Sequence, residues 1–279
     1  MPIHDQSYKH WEKKFKPHTF RWWVITKEGL RIILRRKLFL LFILGPPAIL
    51  MFVYGAMIYG INIYGKLFDF DIVNSNFFFV FFTNQNFFIS LICVFGGSGL
   101  IADDMKNNAL QMYFSKPLTR WDYLLGKFAT IMVMMLFITL VPGILLFVEN
   151  ALISEGSTFI KEQYWLLGSI ILYSLVITVP TGLLILALSS ISKNSRYAAI
   201  SFIAILIGTP IFSETTRNIF DIGAARYISY WTNLFAVGRK LFRLSLNYQW
   251  EWSAIIIISL VIFCFCLVYR RINGIDIVK

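Results

Sequence analysis

Two groups of polar side chains interrupt an otherwise apolar sequence, and each suits a different chemistry. Thr83, Asn84, Gln85 and Asn86 are uncharged hydrogen-bonding residues inside a Phe-rich run. Such groups are costly facing lipid, so they must bond a neighbouring helix or line a water-accessible path. Asp103, Asp104, Lys106, Arg120 and Lys127 form the second group. Charges spaced this way can fix the register of a partner, but they assemble no acid–base pair or nucleophile. His4, His10 and His18 all fall in a basic amino-terminal segment without a second set of ligands. No nucleophile elbow, zinc-protease helix motif or G-x-x-x-x-G-K-[ST] phosphate cradle occurs. The expectation is a chain that is not an enzyme, holds no cofactor or metal, and does not itself bind ATP by that route.

The elements that position these residues are dictated by composition. Of 279 residues 57% are hydrophobic and 27 are Phe, while 15% are charged. That balance belongs to an all-α membrane protein, and the net charge of +11 is too weak a reason to read nucleic-acid binding into it. Cys93, Cys264 and Cys266 lie in apolar runs, with no disulfide or zinc spacing. A helix needs about 20 apolar residues to cross a bilayer, and six stretches approach this, at about 38–59, 77–101, 123–148, 164–191, 197–212 and 252–269. The chain thus divides into a cytoplasmic amphipathic region, 1–37, and a six-span transmembrane domain, 38–279. No cleavable signal peptide is read at the start.

Ten of the 26 basic residues fall in 1–37, and only seven fall in the loops that alternate to the other side. The positive-inside rule then places both termini in the cytoplasm. Five of those seven lie between Arg217 and Arg243, an excess of positive charge on the outer face. The spans hold almost no ionisable group apart from Lys127, which can snorkel from the end of the third span. Coupled transporters commonly place an acid or histidine at mid-membrane, so any uphill work here must be fuelled from elsewhere.

Phe20, Trp23 and Val24 recur at helical spacing beside Arg21, Lys27 and Glu28, which reads either as an interfacial elbow or as a solvated basic arm. Residues 225–246 form a second amphipathic stretch, with Arg226, Ser229, Asn233, Lys240 and Arg243 opposite Tyr227, Trp231, Leu234, Leu241 and Phe242. It reads as a surface helix outside the membrane, either a gate or an anchor. Gly45, Pro46 and Pro47, and Pro180 with Gly182, should bend the first and fourth spans, as hinges or as packing kinks.

The loop 102–122 carries the most pattern. Asp103 and Asp104 are expected to open a short helix, with Met105, Ala109, Met112 and Tyr113 on one face and Asn107 and Gln111 opposite. Pro117 should end it, and Thr119 with Asp122 should cap the third span. On these grounds alone it is either a docking surface or a well-formed loop. The order of an acidic residue, a short helix, Ser115-Lys-Pro-Leu-Thr-Arg120 and Gly126-Lys127 resembles the permease subunits of type 2, exporter-like ABC transporters. Asp104 matches the acidic position, Pro117 and Arg120 the Pro-x-x-Arg turn, and Gly126-Lys127 the Gly-Lys; Asn108-Ala109 stands where the family often has Gly-Thr.

The resemblance extends over nearly the whole chain and implies a coupling helix that fits a cleft on a separate ATPase. It implies two permeases, identical or paralogous, working with two ATPase subunits that bind ATP and Mg, in the bacterial inner membrane. Met105, Ala109 and Met112 would give apolar contact, and Asp103, Asp104, Lys106 and Arg120 would fix register. The candidate translocation path is Thr83, Asn84, Gln85 and Asn86, with the second and fifth spans lining it. Its uncharged wall suits a lipid-like, amphipathic or peptide cargo. The alternatives are a channel or facilitator needing no ATPase, or a membrane assembly scaffold.

Overall fold

A computed structural model describes residues 20–37, 40–68, 74–114, 118–154 and 156–273. Ten α-helices occur among them: α1 Arg21–Leu34, α2 Gly45–Phe68, α3 Ser75–Ile92, α4 Gly99–Lys106, α5 Ala109–Phe114, α6 Arg120–Ile153, α7 Gly156–Ile191, α8 Ser195–Phe220, α9 Tyr230–Leu241 and α10 Trp250–Asn273. No strand is present among the described residues. The protein is an all-helical membrane protein: five helical stretches are long and apolar enough to span a bilayer, namely Ser75–Lys106, Arg120–Ile153, Gln163–Ile191, Ser195–Phe220 and Trp250–Ile272. A shorter apolar segment, Gly45–Ile61, precedes them.

Local chemistry sets where these helices start. Asn74 caps α3 by accepting from the backbone N–H of Asn76 at 3.0 Å and of Phe77 at 3.3 Å. The capping box expected at Thr119 is present: its hydroxyl accepts from Asp122 N at 3.1 Å, and the Asp122 carboxylate accepts from Thr119 N at 3.0 Å. Asn194 and Ser229 cap α8 and α9 in the same manner.

The two proline sites differ. Gly45, Pro46 and Pro47 form the first α-helical turn of α2 and follow a π-helical turn at Leu40–Leu44 without a break. A π-turn beside prolines is a place where helices bend. In α7 the non-helical dihedrals fall at Gln163 (φ −119°, ψ 18°) and not at Pro180. The fifth apolar stretch, expected to stop near Phe212, continues as helix to Phe220, because the polar turn 213–218 keeps helical geometry even though its hydropathy falls.

Helices α6 and α7 form the centre, and α8 and α10 are peripheral, with only 22% of their apolar windows buried against 72% for α7. The core at the end remote from the 102–122 loop is aromatic. Tyr173 of α7 meets Phe82 of α3 at 5.5 Å and Phe242 at 5.6 Å between ring centroids, and stacks on Phe79 at 5.8 Å. These offset and edge contacts add to the burial of large rings. A Cβ at Gly238 of α9 would run into the Tyr173 ring, so α9 can seat on the bundle only with glycine there. Residues 230–241 lie with one face against the bundle: Tyr230, Asn233, Leu234, Ala236 and Val237 are buried, while Arg239 and Lys240 are exposed. Ser229 and Asn233, assigned by spacing to the polar outer face, are buried because one caps the helix and the other donates to the carbonyls of Tyr227 at 2.7 Å and Ser229 at 3.0 Å.

Gly238→Ala is therefore expected to overpack this core, at a cost of about 1–3 kcal/mol. Thermal denaturation of the detergent-purified protein should show a midpoint several degrees lower, whereas Gly208→Ala, where a Cβ meets nothing within 4 Å, should leave it unchanged.

Candidate functional site

Asp103 and Asp104 do not open the short helix; they close the preceding one. Helix α4 continues the line of α3 through a π-helical turn at Cys93–Gly97 and ends at Lys106. The chain then breaks at Asn107 and Asn108, whose φ of 52° is left-handed, and α5 begins at Ala109. Asn tolerates that conformation better than most non-glycine residues, so Asn108 can stand where the similar family often has glycine.

The break resets the helical phase, which changes the face that spacing predicted. Leu110, absent from the expected set, is the buried residue of α5 at 2% exposure, with Met105 and Tyr113 packed against the core beside it. Met112 points away and is 71% exposed, along with exposed Lys106, Asn107 and Gln111. Ala109 is half-buried, as is Arg120 in the first turn of α6. Pro117 lies outside the described residues.

A carboxylate at a helix C-terminus opposes the helix dipole, so Asp104 needs compensation. It has two partners from α6. Lys127 Nζ lies 2.6 Å from its Oδ2, and the Tyr123 hydroxyl donates to the same oxygen at 2.8 Å. Lys127 does not snorkel freely: it is 8% exposed, and its ammonium sits 5.8 Å from the Tyr113 ring and 5.5 Å from the Tyr123 ring. The cation is thus enclosed by one carboxylate and two aromatic faces. The Tyr113 phenol is pushed up, first by burial and then by the carboxylates of Asp104 and Glu28. It stays neutral at ordinary pH and does not compete for Lys127.

One turn of α6 serves a second contact. A Cβ at Gly126 would come within 2.7 Å of Ile25 Cβ and 2.9 Å of the Trp22 carbonyl on α1. With glycine there, α1 lies directly on α6, and Thr26 donates to the Gly126 carbonyl at 3.1 Å. Phe20, Trp23 and Val24 face away from this contact and are exposed. Gly126 therefore accommodates α1, while Lys127 holds the loop.

Upstream, the junction of α3 and α4 lacks regular helical bonding. Ser98 N donates to Cys93 O at 2.9 Å, five residues back. Ser189 of α7 fills the gap: its hydroxyl accepts from Ile101 N at 3.1 Å and Ala102 N at 2.9 Å, and donates to Ser98 O at 2.7 Å. Spacing alone does not single out Ser189; its signal is a buried Ser189-Ser190 pair in an apolar helix. A π-turn with a side chain inserted into the backbone ladder is a recognised cause of helix bending.

The Thr83–Asn86 cluster is divided. Thr83 bonds its own helix, to Phe79 O at 2.9 Å, and exposed Asn84 donates to the Tyr54 hydroxyl of α2 at 2.7 Å. Gln85 and Asn86 are buried, and neither amide has a partner among the described residues. Asn86, with Thr83, Ser90, Leu206, Ser229 and Thr232 among its neighbours, lines a cleft of about 750 Å³ between α3, α8 and α9. Gln85 does not reach it. Of the four residues, Thr83 and Asn86 line this cleft, while Asn84 bridges helices.

The chain matches no protein-family model and no curated protein. Among the described residues no group of three His, Cys, Asp or Glu side chains converges, and His4, His10 and His18 lie outside them.

Two outcomes are expected. Lys127→Met leaves Asp104 buried without its cation and should cost about 3–5 kcal/mol, whereas Lys127→Met combined with Asp104→Leu should recover a large part of the lost thermal midpoint. Ser189→Ala leaves two backbone donors unsatisfied, at about 1–3 kcal/mol, and should accelerate amide exchange at Ile101 and Ala102 while exchange in the middle of α6 stays slow.

Proposed function

We propose that this chain is the membrane-spanning permease subunit of a type 2 ABC transporter, with α5 as its coupling helix. The observation that carries the reading is the packing of α5: the Asp104–Lys127–Tyr123 cluster joins α4 to α6, and buried Leu110 with the Tyr113–Tyr123 ring contact seats α5 beside them, with Met112, Lys106 and Gln111 left outward. A short helix held this way transmits a rigid-body push, which a mobile loop would dissipate. The docked α1, sharing the Gly126-Lys127 turn, suits the elbow of the similar family.

On this reading α2 completes six spans, both termini and α5 face the cytoplasm, and two such permeases work with two ATPase subunits that bind ATP and Mg. ATP-driven closure of the ATPases moves α5, and α4 and α6 carry the motion into the bundle. The cleft bearing Asn86 lies between the second and fifth spans of that scheme, and its mostly apolar wall supports an amphipathic cargo over a small ion.

Met112→Glu separates docking from folding, because Met112 is 71% exposed. The variant should insert and melt like the parent, yet co-purify poorly with a Walker-motif ATPase encoded beside it and lose most substrate-stimulated ATPase activity. Full transport by the chain alone in vesicles, or coupling unchanged in Met112→Glu combined with Met105→Glu, would refute the proposal.

A further inference from the structure

A second, smaller cavity opens at the end of the bundle that carries the 102–122 loop. It measures about 260 Å³ and is walled by α1, the α3–α4 junction and the start of α8. That is below the usual size of a pocket for a drug-sized ligand and comparable with a polar headgroup. Four charged side chains line it: Arg36, Asp103, Asp104 and Lys127. Asp104 and Lys127 neutralise each other at 2.6 Å, which leaves Arg36 and Asp103 as its unspent charges, and neither has a partner among the described residues.

A Cβ at Gly99 would collide with the Asp103 carboxylate and lie 3.6 Å from Ser195 Cβ, so glycine there lets the carboxylate fold back toward Ser195. Arg36, past the end of α1, is exposed and lines the same cavity. Ile32 and Phe95, which also line the opening, are exposed by 52% and 57%. A polar floor thus meets an apolar shoulder at the end of the membrane-spanning helices.

We propose that this crevice binds the headgroup of a zwitterionic phospholipid bearing a primary ammonium, of the phosphatidylethanolamine type. The ammonium donates to Asp103. The phosphodiester accepts from Arg36, whose planar fork matches phosphate oxygens, and from the Ser195 hydroxyl. The acyl chains leave over Ile32 and Phe95. A choline headgroup offers the same charge without N–H donors, and a glycerol headgroup offers no cation, so both lose the Asp103 contact. This inference needs only a membrane-embedded chain and stands apart from any ATPase partner.

The test uses the full chain reconstituted in vesicles of equal parts phosphatidylethanolamine, phosphatidylcholine and phosphatidylglycerol, then released in mild detergent for native mass spectrometry. The ethanolamine lipid should be retained several-fold over the other two. Asp103→Asn should reduce it to the level of the choline lipid, and Arg36→Gln, at an exposed position, should weaken retention of all three. Unaltered elution and helical circular dichroism verify folding of both variants, and Asp103→Glu should restore part of the preference. Equal retention of the three lipids by the parent chain, or a parent-like preference in Asp103→Asn, overturns the proposal.

Discussion

The ion pair of Asp104 and Lys127 is the contact on which the loop end of the molecule depends. Two charges at 2.6 Å, with little water near them, attract several times more strongly than the same pair in bulk solvent. Each is also expensive to desolvate, so the pair is a poor source of net stability and a strong source of specificity. The alternatives it excludes are those in which α4 or α6 slides by a turn, since either shift strands a charge against tyrosine rings. Tyr123 strengthens this by donating to the same oxygen. Helix α5 inherits its position from the pair, because only Asn107 and Asn108 separate it from the helix bearing Asp104.

Hydrogen-bond accounting explains the junction above it. In lipid, every backbone donor and acceptor needs an internal partner. The change from π-helical to α-helical geometry at Cys93–Gly99 breaks the regular ladder, and Ser189 restores it with one acceptor shared by two N–H groups and one donated bond. Small residues make the approach feasible: a Cβ at Gly97 would meet Ile185 of α7 at 3.0 Å. The α3–α4 junction and the start of α4 are thereby bonded to α7 by one hydroxyl. Gln85 and Asn86, buried without partners among the described residues, are the opposite case, and of the two only Asn86 is among the residues lining the cleft.

What was legible in the sequence followed from local rules. The capping box at Thr119 and Asp122 and the apolar stretches both depend on residues a few positions apart. The face of α5 was not legible, since the left-handed turn at Asn108 breaks the periodicity that placed Met112 beside Met105. Nor was the burial of Ser229 and Asn233 legible, because amphipathic spacing reports polarity and cannot distinguish a polar group facing water from one satisfied by backbone carbonyls. Lys127 shows the same limit: only tertiary structure brings Asp104, Tyr113 and Tyr123 around it. The fold was more legible than the site because spans answer to composition, whereas the site is made of contacts between helices distant in sequence.

The cluster of basic residues between Arg217 and Arg243, an anomaly for the positive-inside rule, has a physical account. Arg226 lies 4.8 Å from the Tyr248 ring, Arg243 4.2 Å from Trp165 and Lys240 5.8 Å from Trp250, and Arg217 pairs with Glu214. A cation over an aromatic face is part of a packed belt at the ends of helices. The rule counts charges by position in sequence and takes no account of such pairing. The belt also anchors the far ends of α7, α9 and α10 to one another, while the loop end is tied through the Gly126-Lys127 turn of α6.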